Sequence, residues 1–372
     1  MTDDSIRLAI MGTRGIPARY GGFETFAEEL SVRLVNRGHQ VTVYCRSHYT
    51  EGNGKEYRGV SLVVLPALPH KYLDTVSHSC ISVLHGLLCR YDAVLMCNAI
   101  NAVFTCVPRA AFQKVALNVD GIERQRKKWN RLGKLAYLMS ERLATWFPHV
   151  LVADARVIHD YYQEHYGTES VVIPYGAPVV SIPPGESLRK WNLAPRCYLL
   201  YISRLEPENH AHTAVEAFRK VKSTLPLLVV GDAPYSKKYI SQLRRLAQGD
   251  GRIIFTGAIY GDVFQELISN ALLYVQATEV GGTHPALLQA MGAGNIVIAN
   301  DTPEHHEVLD GAGIYYRRND AEDLALKMET VLDHPGEFQS LREAARQRVR
   351  SCYSWESVTD RYEKLFRRLV EA

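Results

Sequence analysis

The feature that most constrains the fold is a repeated alternation of short β-rich runs with longer amphipathic stretches. Apolar runs such as 8–11, 40–44 and 93–97 have the length of buried strands, and the segments between them include apolar stripes at helical spacing. Because parallel strands need long crossovers between them, the alternation predicts a doubly wound parallel sheet. The pattern stops at a proline-rich segment, 177–195, and restarts at 198, which predicts a second α/β unit.

We therefore predict two domains and a terminal helix in the chain of 372 residues. The first domain is placed at 1–180, the second at 196–352, and the helical segment at 353–372. Open α/β sheets bind their ligands outside the carboxyl ends of the strands. Two such sheets joined by a short linker are predicted to leave a ligand-binding cleft between them.

Composition excludes several classes of protein. A net charge of +3 is too small to indicate a nucleic-acid partner. The seven cysteines form no CxxC pair and no metal-like spacing, so we expect buried free thiols in a reducing cytoplasm. The acidic N-terminus lacks a signal-peptide pattern, and no apolar run reaches the ~18 residues of a membrane span. A cytoplasmic globular protein is therefore expected.

A glycine-rich turn between a strand and a helix is the first candidate for a binding site. Segment 279–291, EVGGTHPALLQAM, follows the apolar run 271–275. Glycines let the backbone approach a ligand closely, and the N–H groups at a helix start attract anions. Glu279 stands where it could bind a sugar hydroxyl. An ordinary βα loop is the alternative, and this segment alone leaves both open.

A second glycine-containing loop, 11–25, lies between the first strand and the first helix. Gly21 and Gly22 stand at the helix start, which suits a phosphate. The loop has neither the GxGxxG spacing of a dinucleotide site nor the Gly-Lys-Ser/Thr of a P-loop. Its length favours a binding role, and a long turn without a ligand is the alternative.

Two further loops carry charged side chains after predicted strands. Arg204, in the segment 203–210, could grip a diphosphate with its planar guanidinium, and Asn209 could add a neutral hydrogen bond; a helix cap with a surface ion pair is the alternative. Asp120 ends a strand, a usual place for a catalytic group. The basic run 124–134 that follows suits an anionic membrane surface or a phosphate-bearing acceptor, or else forms a solvated helix face.

The segment 302–307, TPEHHE, contains two histidines and two acids. Their adjacency is wrong for metal ligands on one face, so we expect helix-start acids and surface histidines, and no metal site.

Together these loops resemble those of retaining glycosyltransferases of the GT-B fold, family 4-like, over essentially the whole chain. The closest likeness is to a bacterial branch that includes rhamnosyltransferases of polysaccharide assembly. Members of that branch carry four motifs in a fixed order. The motifs stand here at 11–25 (MGTRGIPARYGGFET), 120–129 (DGIERQRKKW), 204–209 (RLEPEN) and 281–287 (GGTHPAL). The first motif is long and specific, and the others are specific in this order.

The resemblance implies two Rossmann-like domains facing across a cleft, with 1–180 on the acceptor side, 196–352 binding the nucleotide sugar, and 353–372 packing back on the first domain. Arg204 would neutralise the donor diphosphate, Glu279 would face the donor sugar, and Asp120 would lie near the reacting centre. The remaining implied donor-binding residues are Gly21, Gly22, Asn209, Thr256, Gly257, Ala258, Ile259, Gly281, Gly282, Thr283, His284 and Gln289.

Two positions depart from the wider family. Asn209 stands where that family has a lysine, so one diphosphate cation is missing. Gln289 stands where a glutamate usually binds the ribose hydroxyls, and its separation from Glu279, 289 − 279 = 10, also differs from the family's Glu-x7-Glu spacing. Loss of a charge-assisted hydrogen bond would weaken donor binding by about 1–2 kcal/mol.

The implied reaction uses no metal and no cofactor. It moves a hexose, or a deoxyhexose such as rhamnose, from a nucleotide-diphosphate sugar to a saccharide or polyprenyl-linked acceptor with retained configuration. Positioning and stabilisation of the leaving group would carry the catalysis. We expect peripheral membrane contact through 124–134, a location at the inner face of the cell membrane, and no nucleic acid. A catalytically weak GT-B binding partner is the alternative; an epimerase or phosphorylase has no supporting motif.

Overall fold

The fold was analysed in a computed structural model that describes residues 5–19, 21–50, 54–70, 72–126 and 129–372. The chain forms two compact units. The first comprises Met1–Tyr175 together with Trp355–Ala372, and the second comprises Gly176–Ser354. Each unit contains a parallel sheet with helical crossovers.

The sheet of the first unit has eight strands in the order β3-β4-β2-β1-β5-β6-β7-β8, and its neighbouring strands are parallel except for β3 and β4. Its elements are β1 Arg7–Met11, α1 Gly22–Asn36, β2 Gln40–Arg46, β3 Glu56–Tyr57, β4 Val60–Leu65, α2 Asp74–Cys89, β5 Ala93–Cys97, the 3-10 helix Ala99–Thr105, α3 Cys106–Ala110, β6 Lys114–Asn118, the 3-10 helix Glu123–Gln125, α4 Arg131–Ala144, β7 Val150–Ala153, α5 Arg156–Tyr166 and β8 Val171–Val172.

The sheet of the second unit has six parallel strands in the order β11-β10-β9-β12-β13-β14. Its elements are α6 Glu186–Lys190, β9 Leu199–Ile202, the 3-10 helix Pro207–Asn209, α7 Ala211–Lys220, β10 Leu227–Val230, α8 Lys237–Leu246, β11 Ile253–Gly257, α9 Gly261–Asn270, β12 Leu273–Gln276, α10 Pro285–Gly292, β13 Ile296–Asn300, α11 Pro303–Leu309, β14 Ile314–Tyr316, α12 Ala321–Asp333, the 3-10 helix Pro335–Phe338 and α13 Gln339–Cys352.

The last helix, α14 Trp355–Glu371, packs on α1 of the first unit. Arg37 forms ion pairs with Glu356, Asp360 and Glu363 on α14, at 2.6–2.9 Å. In the core, the Asn118 side-chain amide donates to the Tyr362 hydroxyl at 2.9 Å. This buried hydrogen bond joins the final helix to the carboxyl end of β6.

The predicted runs 8–11, 40–44, 93–97 and 271–275 coincide with observed strands to within two residues at each end, and the two parallel-sheet units are confirmed. The unpredicted elements include the short antiparallel strand β3 and the helix α6 in the proline-rich segment. Helix α6 forms because Glu266, distant in sequence, accepts hydrogen bonds from the N–H groups of Gly185 and Leu188. The local spacing of residues in the sequence cannot indicate a helix cap that comes from so distant a residue.

The cysteine prediction was partly wrong. All seven thiols are free, but only Cys45 and Cys97 are buried, whereas Cys80 and Cys197 are exposed. Within the described part of the chain, no helix combines the length and apolar character needed to cross a bilayer.

Candidate functional site

The second unit brings two of the predicted loops together at the carboxyl edge of its sheet. Strand β9 precedes the Arg204 loop, strand β12 precedes the Glu279 loop, and these two strands pair directly. The loops are also joined by a backbone hydrogen bond, because the Glu279 N–H donates to the carbonyl of Glu208 at 3.1 Å. Residues far apart in sequence thus form one surface.

The Glu279 carboxylate is held by three side chains. His210 Nε2 lies 2.9 Å from Oε2, and Arg318 Nη2 and Asn319 Nδ2 each lie 3.2 Å from Oε1. An ionised carboxylate only accepts hydrogen bonds, so the His210 proton belongs on Nε2. The Glu279 side chain remains 18% exposed and is therefore accessible to a ligand.

Sequence analysis missed all three partners of Glu279. Arg318 and Asn319 follow β14, which lies two strands from β12 in the sheet. Asn319 has a left-handed backbone (φ +59°), and its N–H and amide oxygen are both bonded to Asn300. The sequence offered one signal, the position of these residues directly after the run Ile314–Tyr316 that forms β14.

The glycine turn before α10 is shaped by His284. A Cβ on Gly281 would lie 2.4 Å from Cε1 of the His284 ring, so any larger residue at this position would require the ring to move. His284 is itself left-handed (φ +45°) and is followed by Pro285 in the first turn of the helix. Gly282 and Thr283 are buried in the same turn. The predicted residues 281–284 therefore form a tight cradle at a helix N-terminus.

The two adjacent histidines after β13 differ from the prediction. His305 is fully buried beside His284, with ring centroids 4.9 Å apart, and burial lowers its pKa to about 4. The expectation of two surface histidines is thus wrong for His305, whereas His306 is exposed and lies 2.6 Å from Asp301. Among the described residues, no group of three His, Cys, Asp or Glu side chains is arranged to hold a metal ion.

Arg204 and Asn209 lie in one loop but have different surroundings. The Arg204 side chain is one-third exposed, and its Nη1 lies 3.8 Å from Glu206 Oε2. Asn209 is buried, and its amide donates to the Arg204 carbonyl at 2.7 Å. In this structure the Asn209 side chain closes the loop that carries Arg204.

The remaining predicted donor-binding residues of the second unit lie at the carboxyl end of β11 or within α10. Residues 256–259 follow β11, which is separated from β9 by β10. The Thr256 hydroxyl donates to the Gly257 carbonyl at 2.9 Å, and Ala258 is exposed. Gln289 lies inside α10, where its Oε1 accepts from Gln265 Nε2 at 2.9 Å. This amide pair satisfies one oxygen at the position of the family's ribose-binding acid.

In the first unit, the loop before α1 contains a buried carboxylate that the sequence analysis did not single out. Gly21 is the extended N-cap residue of α1 (φ −167°) and Gly22 begins the helix. Glu24 is buried in the first turn, where its Oε1 accepts the Arg14 N–H at 2.9 Å. The carboxylate and the helix dipole interact favourably at this end.

Asp120 is placed at the carboxyl end of β6 in a left-handed conformation (φ +56°). Its Oδ1 accepts from the buried Tyr175 hydroxyl at 2.9 Å, and its N–H donates to Asn118. Burial and the Asp120 charge raise the pKa of Tyr175 well above its usual value. Burial, followed by the charges of Glu24 and Asp120, likewise raises the pKa of Cys97 at the end of β5.

The basic run 124–134 is not the uniformly solvated face that was considered. Arg124 donates to Glu141 at 3.2 Å and to the Tyr161 hydroxyl at 2.6 Å, and Arg126 is buried against Glu123. Residues 127 and 128 lie outside the described residues. Among the residues of this run that the structure describes, the exposed cations are Arg131 and Lys134.

In comparisons with known proteins, the two units match different families. Residues 196–334 match the family described as glycosyl transferases group 1, and residues 6–69 and 95–178 match a domain of unknown function, DUF1972. Glycogen synthase of Mycobacterium tuberculosis is 29% identical over 199 residues, covering 49% of this chain and 46% of that protein. The chain thus spans about half the length of this relative.

Solved structures match nearly the whole chain. Sucrose-phosphate synthase from Thermosynechococcus elongatus has a TM-score of 0.83 at 18% identity, covering 98% of this chain and 99% of that one. Anabaena HepE in complex with UDP and glucose has a TM-score of 0.79 at 15% identity, covering 97% and 99%. The two parallel-sheet Rossmann-like units therefore have the GT-B fold.

Proposed function

We propose that this protein is a retaining glycosyltransferase of bacterial polysaccharide assembly. Residues 196–334, which match the family described as glycosyl transferases group 1, support the proposal. The protein transfers a hexose or deoxyhexose from a nucleotide-diphosphate sugar to a saccharide or lipid-linked saccharide. The observation that carries the proposal is the pairing of β9 with β12, which joins the Arg204 loop to the Glu279 loop. Two of the similar proteins, glycogen synthase and HepE in complex with UDP and glucose, support the same class of substrates.

In this proposal the donor diphosphate is bound by Arg204 and by the N–H groups of 282–284 at the start of α10. These groups stabilise the negative charge that develops on the leaving nucleoside diphosphate, without a metal ion or other cofactor. Glu279 accepts hydrogen bonds from the sugar hydroxyls, and its three protein partners hold it in one orientation. The acceptor hydroxyl then attacks the face of the sugar that the diphosphate leaves.

The first unit contributes the acceptor side. In this proposal Asp120 is the acid that faces the acceptor hydroxyl; its carboxylate accepts from Tyr175 and its N–H donates to Asn118, which supports a fixed orientation at the end of β6. The likeness of the four motifs to rhamnosyltransferases favours rhamnose as the transferred sugar. We further propose that the protein works at the inner face of the cell membrane.

A second candidate function is a GT-B protein with weak or no turnover that acts as a binding partner in polysaccharide assembly. Two observations favour it. Gln289 Oε1 already accepts a hydrogen bond from Gln265, and the Asn209 amide already donates one to the Arg204 carbonyl. Each occupies a position where the wider family has a charged side chain.

Donor turnover separates the two candidates. Purified protein is incubated with a panel of nucleotide sugars, with and without a membrane extract as the source of acceptor, and released nucleoside diphosphate is measured. Release from one donor, increased by acceptor, supports the transferase. If no donor yields product while one nucleotide sugar still raises the Tm by binding, the non-catalytic candidate is correct.

A further inference from the structure

Helix α2 of the first unit has an apolar outer face. Its exposed side chains include Ile81, Leu84, Leu87 and Leu88, which recur every three to four residues and so share one side of the helix. Leu88 is 83% exposed. The only acid of α2, Asp74, is buried against Arg46. A surface helix usually presents polar side chains to water, so this face indicates a nonpolar partner.

Helix α4 continues the apolar surface. Leu132, Leu135, Leu138 and Met139 are all exposed, and Leu132 is 75% exposed. Helices α2 and α4 both pack on the 3-10 helix Ala99–Thr105, whose Val103 is exposed as well. The starts of the two helices are joined by Tyr72 and Trp129, whose rings lie 5.9 Å apart. We call these nine apolar side chains the α2–α4 face: Ile81, Leu84, Leu87, Leu88, Val103, Leu132, Leu135, Leu138 and Met139.

The charge around the α2–α4 face is positive. Residues 68–144 contain 11 Lys and Arg against 5 Asp and Glu, a net charge of 11 − 5 = +6, whereas the whole chain has 43 − 40 = +3. The charged side chains that α4 exposes are Arg131, Lys134 and Arg142, and its one acid, Glu141, is buried. Of the other acids in this range, Asp74 and Glu123 are buried, Asp92 pairs with Arg7, and Asp120 accepts from Tyr175.

We propose that the α2–α4 face docks on the surface of an anionic lipid bilayer, with the leucines in the acyl boundary and the α4 cations at the headgroups. Apolar side chains flanked by cations on a helix are the chemistry of such interfacial contacts. A second copy of the chain fits less well, because a symmetric contact would place the α4 cations of one copy against those of the other. The contact deepens the proposed function, on which its biological role rests, since it would bring a lipid-linked acceptor to the first unit.

Vesicle binding tests the apolar part of the face. The full chain is sedimented with vesicles of phosphatidylcholine alone or with one-third phosphatidylglycerol. We expect binding to the anionic vesicles that weakens with salt, and at least a tenfold loss in the variants L84Q/L88Q and L135Q/M139Q. The matched control is L326Q on α12, which removes an equally exposed leucine from the second unit. Each variant is checked for an unchanged Tm.

The charged part is tested with R131Q/K134Q, for which we expect about a fivefold loss of vesicle binding per cation. The control is R244Q/R245Q on α8, a helix that also carries exposed arginines but no comparable leucine face. The control variant should bind as the wild type does. Equal losses in both pairs would mean a nonspecific charge effect and would overturn the proposal.

Two other outcomes would also overturn it. The first is absence of wild-type binding to any vesicle. The second is a concentration-dependent dimer in light scattering that the leucine variants abolish while vesicle binding persists, which would assign the face to a second copy. Nucleoside diphosphate release from a soluble donor is measured in parallel without vesicles. If release persists when vesicle binding fails, the membrane proposal fails and the proposed transferase stands.

Discussion

Nε2 of His210 lies 2.9 Å from Oε2 of Glu279, although 69 residues separate them in sequence. The contact exists because β9 and β12 are neighbours in the sheet, so that the loops after them meet. Arg318 and Asn319 bind the other carboxylate oxygen. Glu279 is therefore a positioned acid with a cationic neighbour, which suits a group that must orient a polar substrate.

Removing the Glu279 charge should affect turnover more than folding. Glu279→Gln keeps the size of the side chain but replaces one accepting oxygen with an amide NH2 group, which would face the donors of His210 or of Arg318 and Asn319. Because hydrogen bonds to charged groups contribute about 1.5–3 kcal/mol, we expect donor turnover to fall by about tenfold to a hundredfold. Released nucleoside diphosphate is measured at saturating donor. Glu322→Gln, an exposed acid on α12, is the control. Unchanged turnover in Glu279→Gln would remove Glu279 from the site.

Arg204→Ala should abolish most donor turnover with little loss of stability. The side chain is partly exposed, and its Nη1 lies 3.8 Å from Oε2 of the buried Glu206, which is too far for a hydrogen bond, so we expect the pair to contribute little to stability. Arg204→Lys keeps the charge but loses the two-pronged geometry, so it should restore only part of the activity. Turnover and Tm are measured for both variants. A large drop in Tm with proportionate loss of activity would indicate a structural role instead.

Gln289→Glu distinguishes a weakened transferase from a fully adapted one. If the side chain faces the ribose of the donor, a carboxylate should lower the donor KM by up to about tenfold, since one charge-assisted bond replaces a neutral one. Gln265→Ala should free Gln289 and shift KM in the same direction by a smaller factor, because Gln265 no longer occupies its oxygen. An unchanged or higher KM in Gln289→Glu would show that this position does not bind the ribose.

The parallel strands of both sheets were predictable because buried parallel strands appear as continuous apolar runs, whereas the two-residue antiparallel strand β3 was not. The site was predictable only as separate loops. The order of the strands in the sheet decides which loops meet. The contact of Asn319 with Glu279 joins the loops after β14 and β12, and no local pattern in the sequence indicates it. The burial of His305 could not be predicted either. Its polar neighbours in sequence indicate an exposed residue, whereas the packing of α11 places its ring beside that of His284.

Replacing Gly12 tests how much the conformation of the 11–25 loop contributes to the free energy of unfolding. Gly12 has φ +89°, and a Cβ there would lie 2.4 Å from the Cys97 carbonyl oxygen. Gly12→Ala should lower the free energy of unfolding by about 2–4 kcal/mol, from backbone strain plus overpacking. Gly38 has a similar φ of +92° with nothing within 4 Å, so Gly38→Ala should cost only about 1 kcal/mol. Urea unfolding measures both; equal losses would show that the contact with β5 has no energetic effect.

The docking of α14 should depend on pH through Glu363. Burial opposes its ionisation, but hydrogen bonds from Arg37, Arg367 and His39 lower its pKa from 4.5 to about 2. A depressed folded-state pKa stabilises the protein above the unfolded value, so this contribution is complete above pH 4.5 and is lost as the pH falls towards 2. Glu363→Gln should therefore lower stability by about 1–3 kcal/mol at pH 7 and have little effect near pH 2. Calorimetric Tm against pH measures the difference, with Glu371→Gln at the exposed end of α14 as the control. A difference independent of pH would show that the ion pairs do not fasten the helix.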